Sequence, residues 1–247
     1  MNIILVQEEE IQGNCVKLRD HRAEHIVKVL RAEAGEKVKL GCINGPLGYA
    51  TIVSIKKKFP FEAELEICLV EPMRAKPHLD LILALPRPIM LKRILSQVTA
   101  LGVGTIHLVN AKRVEKSFWE ASILDPLEYN LHLLQGLEQA VDTRVPEVQI
   151  HTKFKPFVED FLPQVIGEYG SLICAHPLGN RRLTEVISRG MDRVLLAIGP
   201  EGGWVDYEVD KFQEQQFACC SIGNRILKVD TAVVALHSQI TALGENT

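Results

Sequence analysis

Three short loops of small residues and proline carry the sequence pattern most closely tied to chemistry. They are Ala-His-Pro at 175–177, Gly-Pro-Glu-Gly-Gly at 199–203 and Ile-Gly-Asn-Arg-Ile-Leu at 222–227, and each follows an apolar run typical of a buried strand. Ligands of open α/β sheets bind beyond the carboxyl ends of strands, where glycine lets the backbone approach a ligand closely. Any one of these loops alone is better explained as a tight turn. Together they predict one ligand pocket built largely from main chain.

The elements that position these loops follow from the hydrophobic pattern after residue 77. Continuous apolar runs predict strands at 79–85, 103–109, 171–175, 194–198 and 217–222. Helical spacing of apolar residues predicts helices at 91–101, about 127–140 and 231–243. Strands that are apolar throughout and alternate with helices indicate a parallel α/β sheet that is covered on both faces.

The first 72 residues have a different hydrophobic pattern. Short β-prone runs occur at 3–6, 38–43, 50–55 and 63–70, and one helix is predicted at 21–31. Short strands around a single helix suggest a small barrel. The polar, proline-flanked stretch at 71–77 marks a domain boundary. The 247 residues are therefore expected to form two domains, 1–72 and 73–247.

The net charge of −3 hides an uneven distribution of charge along the chain. Residues 73–117 carry eight basic and two acidic groups, whereas residues 118–170 carry three and nine. A second basic run lies within residues 17–39. Clustered Lys and Arg bind phosphates whatever the total charge, although on charge alone an ordinary solvated surface is the better interpretation.

Cysteine usage and hydropathy predict a cytoplasmic protein without a metal or a membrane span. The six cysteines form no CxxC pair, and no histidine stands at zinc-ligand spacing. The N-terminal residues lack the pattern of a secretory signal. The uncharged run at 94–111 contains several polar residues and two glycines, which argues against a membrane helix.

Two of the loops resemble the paired signature of a known family. Residues 199–203 (GPEGG) with Glu208 after them, and residues 222–232 (IGNRILKVDTA), are similar to the motifs GPEGG and LGxRILRxETA. These motifs belong to the bacterial 16S rRNA (uracil-N3)-methyltransferases of the SPOUT superfamily. The likeness extends over nearly the whole chain: residues 25–31 resemble an HxxxVLR segment, 101–103 an ELGV segment, and 138–147 the EQ and VPE positions.

The resemblance implies an N-terminal PUA-like β-barrel and a C-terminal SPOUT α/β domain whose end is threaded into a deep trefoil knot. It implies that the knotted loops hold S-adenosylmethionine, which leaves as S-adenosylhomocysteine, and that a homodimer completes the active site. The cofactor candidates, acting through backbone groups and apolar contacts with adenine, are Ala175, Gly199, Gly203, Ile222, Gly223, Ile226 and Leu227. Packing at strand ends is the alternative role of these residues.

The implied reaction is methylation of N3 of a uridine in the 16S rRNA of the small ribosomal subunit. That nitrogen carries a proton and lies on the Watson–Crick edge, so the base must be exposed and the proton accepted. Arg225 is the candidate for orienting the base or favouring its anionic form. Asp230 or Glu201 is the candidate for accepting the proton or holding Arg225. Asp230 is equally well explained as the N-cap of a helix that begins near Thr231.

The basic segments gain a role from the same resemblance, which implies rRNA as the partner. Lys and Arg would grip phosphates while the pocket holds the base. The candidates are Lys28 and Arg31 in the first domain, and Arg87, Lys92, Arg93, Lys112 and Arg113 in the second.

The sequence departs from the family pattern mainly at charged positions. Five charged residues of the family pattern are replaced in this sequence. In chain order, Gln97 stands for a Lys, Ala100 for a Glu, Asp142 and Lys228 each for an Arg, and Asp230 for a Glu. Lys in place of Arg loses the planar fork that binds two acceptors at once. In addition, Val205 replaces a capping Ser, which leaves Asp206 to cap the next helix.

These departures keep other functions open. The cofactor loops match the family better than the polar groups around the substrate do, so the first alternative is a non-catalytic or differently targeted RNA-binding SPOUT protein. A metabolic α/β enzyme for a small substrate is disfavoured by the additional barrel domain. It is also disfavoured because the sequence has no GxxxxGK[ST], and no GxGxxG at a strand–helix junction.

Overall fold

The structure, a computed structural model, describes residues 1–187 and 193–245. The chain forms two compact units, the first comprising Met1–Ala75 with Leu134–Val145 and the second comprising Lys76–Leu133 with Pro146–Thr247. The segment Leu134–Val145 thus belongs to the N-terminal unit although it lies far beyond residue 75 in sequence. Thr143 anchors it there, because its hydroxyl donates to the carbonyl of Gly45 at 2.6 Å.

The first unit is built on a six-stranded sheet. Its strands are β1 (Ile4–Val6), β2 (Ile11–Gln12), β3 (Cys15–Leu18), β4 (Lys37–Cys42), β5 (Leu47–Lys56) and β6 (Glu62–Glu71). The strand order is β1-β4-β5-β6-β3-β2, with β1 parallel to β4 and the other pairs antiparallel. The four predicted strands are confirmed. The pattern missed β2 and β3 because two to four residues are too few to establish an alternation.

One helix accompanies this sheet, as predicted. Helix α1 (His21–His25) is capped by Asp20, whose side chain accepts the backbone N–H of Arg22 at 2.9 Å. The helix widens into a π-helical turn at Ile26–Leu30 and ends at Arg31, which has a left-handed φ of 53°. A short 3₁₀ helix lies at Glu8–Glu10.

The second unit contains a parallel six-stranded sheet. Its strands are β7 (Leu79–Ala84), β8 (Val103–Val109), β9 (Glu147–His151), β10 (Ser171–Ala175), β11 (Val194–Ile198) and β12 (Ala218–Cys220). The order is β12-β10-β11-β7-β8-β9 and every pair is parallel, which confirms the predicted sheet type. The carboxyl ends of β10, β11 and β12 are therefore adjacent at one edge of the sheet.

Eight α-helical segments lie in the described residues, seven of them after α1: α2 (Pro88–Leu101), α3 (Pro126–Ala140), α4 (Phe154–Pro156), α5 (Leu162–Val165), α6 (Leu183–Val186), α7 (Asp206–Glu214) and α8 (Val229–Glu245). A π-helical turn at Phe157–Phe161 and 3₁₀ turns at Lys116–Glu120, Ser122–Leu124 and Ile166–Glu168 complete this set. Within the described ranges, none of the helices has the length and apolar character needed to span a membrane.

The first turn of α7 corrects one sequence prediction. Val205 occupies the N-cap position, so the expectation that Asp206 caps this helix is wrong. The buried carboxylate of Glu208 instead accepts the N–H of Val205 at 2.9 Å and the N–H of Lys112 at 2.7 Å. Glu208 therefore ties the start of α7 to the loop that follows β8.

A buried carboxylate anchors the opposite edge of the parallel sheet. Asp80 is fully buried and accepts the N–H of Thr105 at 2.7 Å and the hydroxyl of Tyr169 at 2.6 Å. It also forms an ion pair with Arg193. A Cβ at Gly104 would lie 2.6 Å from Asp80 Oδ1, so only glycine fits there. These contacts join the amino ends of β7 and β8 to the residues that precede β10 and β11, two of the strands whose carboxyl ends carry the motif loops.

Candidate functional site

The three motif loops meet around one cavity in the second unit. The cavity has a volume of about 230 Å³ and is lined by residues of the loops that follow β10, β11 and β12. The prediction of a single pocket formed by these loops is confirmed, because the three strands lie side by side in the sheet. All seven residues predicted to contact a cofactor line this cavity: Ala175, Gly199, Gly203, Ile222, Gly223, Ile226 and Leu227.

Glycine is required at two positions of the cavity wall by backbone conformation. Gly203 has a φ of 75° and Gly223 a φ of 132°, values that residues with a Cβ rarely adopt. Gly199 stands where space is tight, since a Cβ there would lie 3.0 Å from the backbone nitrogen of Trp204. The loops therefore bring main chain, rather than side chains, to the cavity.

The loop at 222–227 offers backbone hydrogen-bond donors at the cavity. Ile222, Gly223, Ile226 and Leu227 line it, and their amide N–H groups have no acceptor among the described residues. These residues are exposed or partly exposed, so a ligand that carries several acceptors could reach their N–H groups. Trp204 also lines the cavity, but its indole Nε1 is fully buried and has no hydrogen-bond partner within residues 1–187 and 193–245.

Apolar side chains and a protonated thiol form the rest of the wall. Ile198, Val229 and Leu236 line the cavity beside the loops. Cys220 also lines it, and burial together with the nearby Cys219 raises the pKa of its thiol to about 11. The Cys220 thiol is thus protonated at neutral pH and serves as wall rather than as nucleophile.

The three catalytic candidates are placed differently around the cavity. Arg225 and Glu201 line it, and both are exposed. Arg225 has no hydrogen bond or ion pair with any described residue, so neither acidic candidate holds it in this structure. Asp230 is not among the lining residues, although Val229 before it is. Helix α8 begins at Val229, so Asp230 lies inside its first turn rather than preceding the helix as an N-cap.

Two basic residues of the predicted RNA-binding set contact the loop at 199–203. The backbone N–H of Arg87 donates to Glu201 Oε1 at 3.1 Å. The guanidinium of Arg113 donates to the carbonyl oxygen of Gly202. The loop at 199–203 therefore both lines the cavity and contacts two of the residues predicted to bind RNA.

Two further basic residues, both on α2, are engaged in ion pairs. Arg93 Nη1 lies 3.2 Å from Asp230 Oδ2, and Lys92 Nζ lies 2.5 Å from Glu128 Oε1. Lys112 makes its contact with Glu208 through its backbone N–H, which leaves its exposed side chain unengaged. Of the predicted set in this unit, Arg87, Arg93 and Arg113 thus contact residues of the cavity loops or of the start of α8, and Arg93 and Lys92 are partly neutralised.

In the first unit, both predicted RNA contacts are exposed at the end of the helical segment. Lys28 Nζ is 2.6 Å from Glu24 Oε1 and 5.0 Å from the ring centre of Phe61. Arg31, the residue that ends the π-helical turn, has no ion pair with a described residue. Only Arg31 of the two presents an unpaired charge.

Comparison with known proteins decides the family. The RNA methyltransferase domain family matches residues 74–241, and the RNA methyltransferase PUA domain family matches residues 18–61. A protein of Treponema pallidum called ribosomal RNA small subunit methyltransferase E is 33% identical over 250 residues, covering 98% of this chain and 91% of that protein. The chain belongs to this methyltransferase E family. The family resemblance and the expected class of enzyme are confirmed.

Further relatives carry the same name or the same fold. Ribosomal RNA small subunit methyltransferase E 1 of Borreliella burgdorferi is 27% identical over 247 residues, with 98% of both chains covered. The crystal structure of the Neisseria gonorrhoeae enzyme bound to S-adenosyl methionine aligns over all of both chains with a TM-score of 0.78 and 21% identity. A probable rRNA methyltransferase of Porphyromonas gingivalis gives 0.77 and 19%. The predicted PUA-like and SPOUT-type fold is confirmed, and the trefoil knot stays a prediction.

Some positions that depart from the methyltransferase E pattern have local structural roles. Asp142 Oδ1 accepts the N–H of Thr143 at 2.6 Å, and its other oxygen lies 3.8 Å from Arg74 Nη1. Gln97 Oε1 is buried without a partner in the described part of the chain, and nothing in the structure explains this.

Sequence reasoning missed Trp204 and gave Glu208 only as part of the motif. The hydrogen bond between Glu208 and Lys112 could not be predicted from the sequence, because the two residues are 96 positions apart.

Proposed function

We propose that this protein transfers a methyl group from S-adenosylmethionine to N3 of a uridine in the 16S rRNA of the small ribosomal subunit. The observation that carries the proposal is the single cavity formed by the three motif loops in a chain of the methyltransferase E family. The relatives are called ribosomal RNA small subunit methyltransferases, and the solved Neisseria gonorrhoeae relative is bound to S-adenosyl methionine.

The cavity fits this cofactor. Adenine, ribose and the carboxylate of the amino acid part all carry acceptors, which suit the amide N–H groups of Ile222, Gly223, Ile226 and Leu227 at the cavity. The apolar contacts would come from Ile222, Ile226 and Leu227, and the close backbone approach from Ala175, Gly199, Gly203 and Gly223. Bound S-adenosylmethionine supplies an electrophilic methyl group on a sulfonium and leaves as S-adenosylhomocysteine.

Arg225 would orient the uracil. Its side chain is exposed at the cavity and is engaged by no described residue, so its donors are available to a base. A guanidinium near the base also favours the anionic form that remains when N3 loses its proton. Holding the base against the cofactor converts an encounter into an aligned reaction, which contributes about 7 kcal/mol or more in good cases.

Glu201 is the better supported proton acceptor of the two acidic candidates. It lines the cavity and is exposed, and among the described residues its side chain accepts one hydrogen bond, from the N–H of Arg87 at 3.1 Å. Asp230 uses one oxygen for the N–H of Thr231 at 2.9 Å and the other for Arg93. We therefore assign Glu201 to proton acceptance and Asp230 to holding the start of α8.

The proposal extends to the parts of the chain around the site. Residues 1–72 would form the PUA-like RNA-binding domain and residues 73–247 the methyltransferase domain, although Leu134–Val145 of the latter range belongs to the first compact unit. rRNA phosphates would contact the exposed basic residues Arg31, Arg87, Lys112 and Arg113, with weaker contributions from Lys28, Lys92 and Arg93 because these are paired. A homodimer in the cytoplasm would be the working form.

Two experiments test this function. Calorimetry with S-adenosylmethionine is expected to show binding, and the absence of binding at millimolar cofactor would favour the non-catalytic alternative. In a deletion strain, mapping of rRNA is expected to show one unmodified uridine N3. If every uridine N3 remained as in the wild type while another base lost a methyl group, the differently targeted alternative would hold.

A further inference from the structure

The side chain of Arg113 lies across the loop that follows β11. Its guanidinium donates to the carbonyl of Gly202, and its Nη1 is 3.9 Å from where a Cβ of Gly203 would stand. Gly202 and Gly203 both line the cavity. Arg113 itself follows β8, so it connects two loops of the parallel sheet through a side chain.

The glycine at position 202 packs against the stem of Arg113. A Cβ at Gly202 would lie 2.9 Å from Cδ and 3.3 Å from Cβ of Arg113, closer than such carbon atoms normally approach. Unlike Gly203, whose φ is 75°, Gly202 does not have a left-handed conformation that would itself require glycine. A side chain at position 202 would therefore displace the Arg113 stem from its place on the loop.

We propose that Arg113 is a positioning residue for the cofactor loop, in addition to any contact with RNA. The inference rests on the proposed function, because it concerns the loop that would hold S-adenosylmethionine. A loop fixed in its binding conformation loses less conformational freedom when the ligand binds, so its affinity for the ligand is higher. Arg113 would thus raise cofactor affinity without touching the cofactor.

Lys112 provides a matched control one residue away. It carries the same charge and is exposed, but its structural bond to Glu208 runs through its backbone N–H and survives replacement of the side chain. If both residues only contacted phosphate, neither replacement would change cofactor affinity in the absence of RNA. If Arg113 also positions the loop, replacing Arg113 lowers cofactor affinity without RNA, whereas replacing Lys112 does not.

The experiment measures S-adenosylmethionine affinity by calorimetry in the absence of RNA. Arg113→Ala is expected to weaken binding by about tenfold, the effect of losing a hydrogen bond from a charged donor. Lys112→Ala is expected to remain within about twofold of the wild type. Gly202→Ala, which keeps every charge, is expected to weaken binding in the same direction as Arg113→Ala.

A double variant makes the test specific. Gly202→Ala introduced into the Arg113→Ala protein is expected to weaken binding by a smaller factor than it does in the wild type, because the Cδ at 2.9 Å is absent and only the Cβ at 3.3 Å remains. If Arg113→Ala does not fold, judged by thermal unfolding, Arg113→Lys replaces it and is expected to weaken binding by a smaller factor.

The outcomes separate this inference from the proposed function. If the wild type binds and Arg113→Ala binds equally well, while both Arg113→Ala and Lys112→Ala weaken RNA binding, Arg113 is a phosphate contact only and the inference is overturned. If the wild type does not bind S-adenosylmethionine, the proposed function itself fails.

Discussion

Arg93 and Asp230 are 137 positions apart in the sequence and form an ion pair, with 3.2 Å between Nη1 and Oδ2. The pair joins α2 to the first turn of α8, directly after the loop that lines the cavity. Asp230 is 8% exposed, whereas most of the Arg93 side chain is in solvent. Arg93 is therefore the group that compensates a largely buried carboxylate.

Replacement of Arg93 by alanine is expected to lower the free energy of unfolding by about 1 kcal/mol. The Asp230 carboxylate loses its partner, and the solvent exposure of Arg93 keeps the effect small. Urea denaturation measures the change, with Lys116→Ala as the control because that exposed lysine has no contact with a described residue. Equal losses in the two variants would show that the pair contributes nothing to stability.

Replacement of Arg225 by alanine is expected to abolish methyl transfer and leave cofactor affinity within about tenfold, or roughly 1.4 kcal/mol. The side chain makes no hydrogen bond or ion pair with a described residue and is exposed, so its removal should disturb the cavity little. Single-turnover methylation and calorimetry measure the two effects. Unchanged activity would show that Arg225 does not act on the base.

Affinity for rRNA is expected to fall steeply as salt rises, because phosphate contacts release counterions from the nucleic acid. Arg87→Ala should reduce the slope of log affinity against log salt by more than Lys92→Ala does. The reason is that Lys92 is paired with Glu128 at 2.5 Å, whereas the Arg87 side chain has no acidic partner among the described residues. Filter binding across a salt series provides the slopes, and binding that ignores salt would contradict the assignment of these basic residues.

Stability is expected to fall as the pH drops from 6.5 toward 4, and His107 is a cause. Burial, with the nearby His151, lowers the pKa of His107 from 6.5 to about 4, so the unfolded chain binds a proton in this range that the folded chain does not. The free energy of unfolding then decreases by up to about 1.4 kcal/mol per pH unit.

Urea midpoints between pH 7 and 4.5 measure this dependence. His107→Leu removes the titrating group from its buried site between His151 and Phe157, and should flatten the decline. An identical decline in wild type and variant would assign the effect to other groups.

Several elements were predictable from local sequence alone. The strands at 103–109, 171–175 and 194–198 coincide with the predictions, because an apolar run that long must be covered on both faces. The motif loops were placed correctly for the same reason, since each follows such a run.

Other elements lacked this signal. Strand β9, Glu147–His151, lies at the sheet edge and carries polar residues, so no apolar run marks it. Helix α7 is short and mostly polar, with only Glu208 and Phe212 buried. The local sequence of such segments does not determine their secondary structure, which is instead stabilised by packing against neighbouring elements.

The sequence by itself determined the sheet type, the three cavity loops and the family, because buried strands and motif loops are local features. Only the tertiary structure decided which polar groups meet: Arg93 with Asp230, Arg113 with Gly202, and Glu208 with Lys112. These partners are about 90 to 140 positions apart. No residue spacing can encode such pairs, because their distance is set by the order of strands in the sheet and not by the path along the chain.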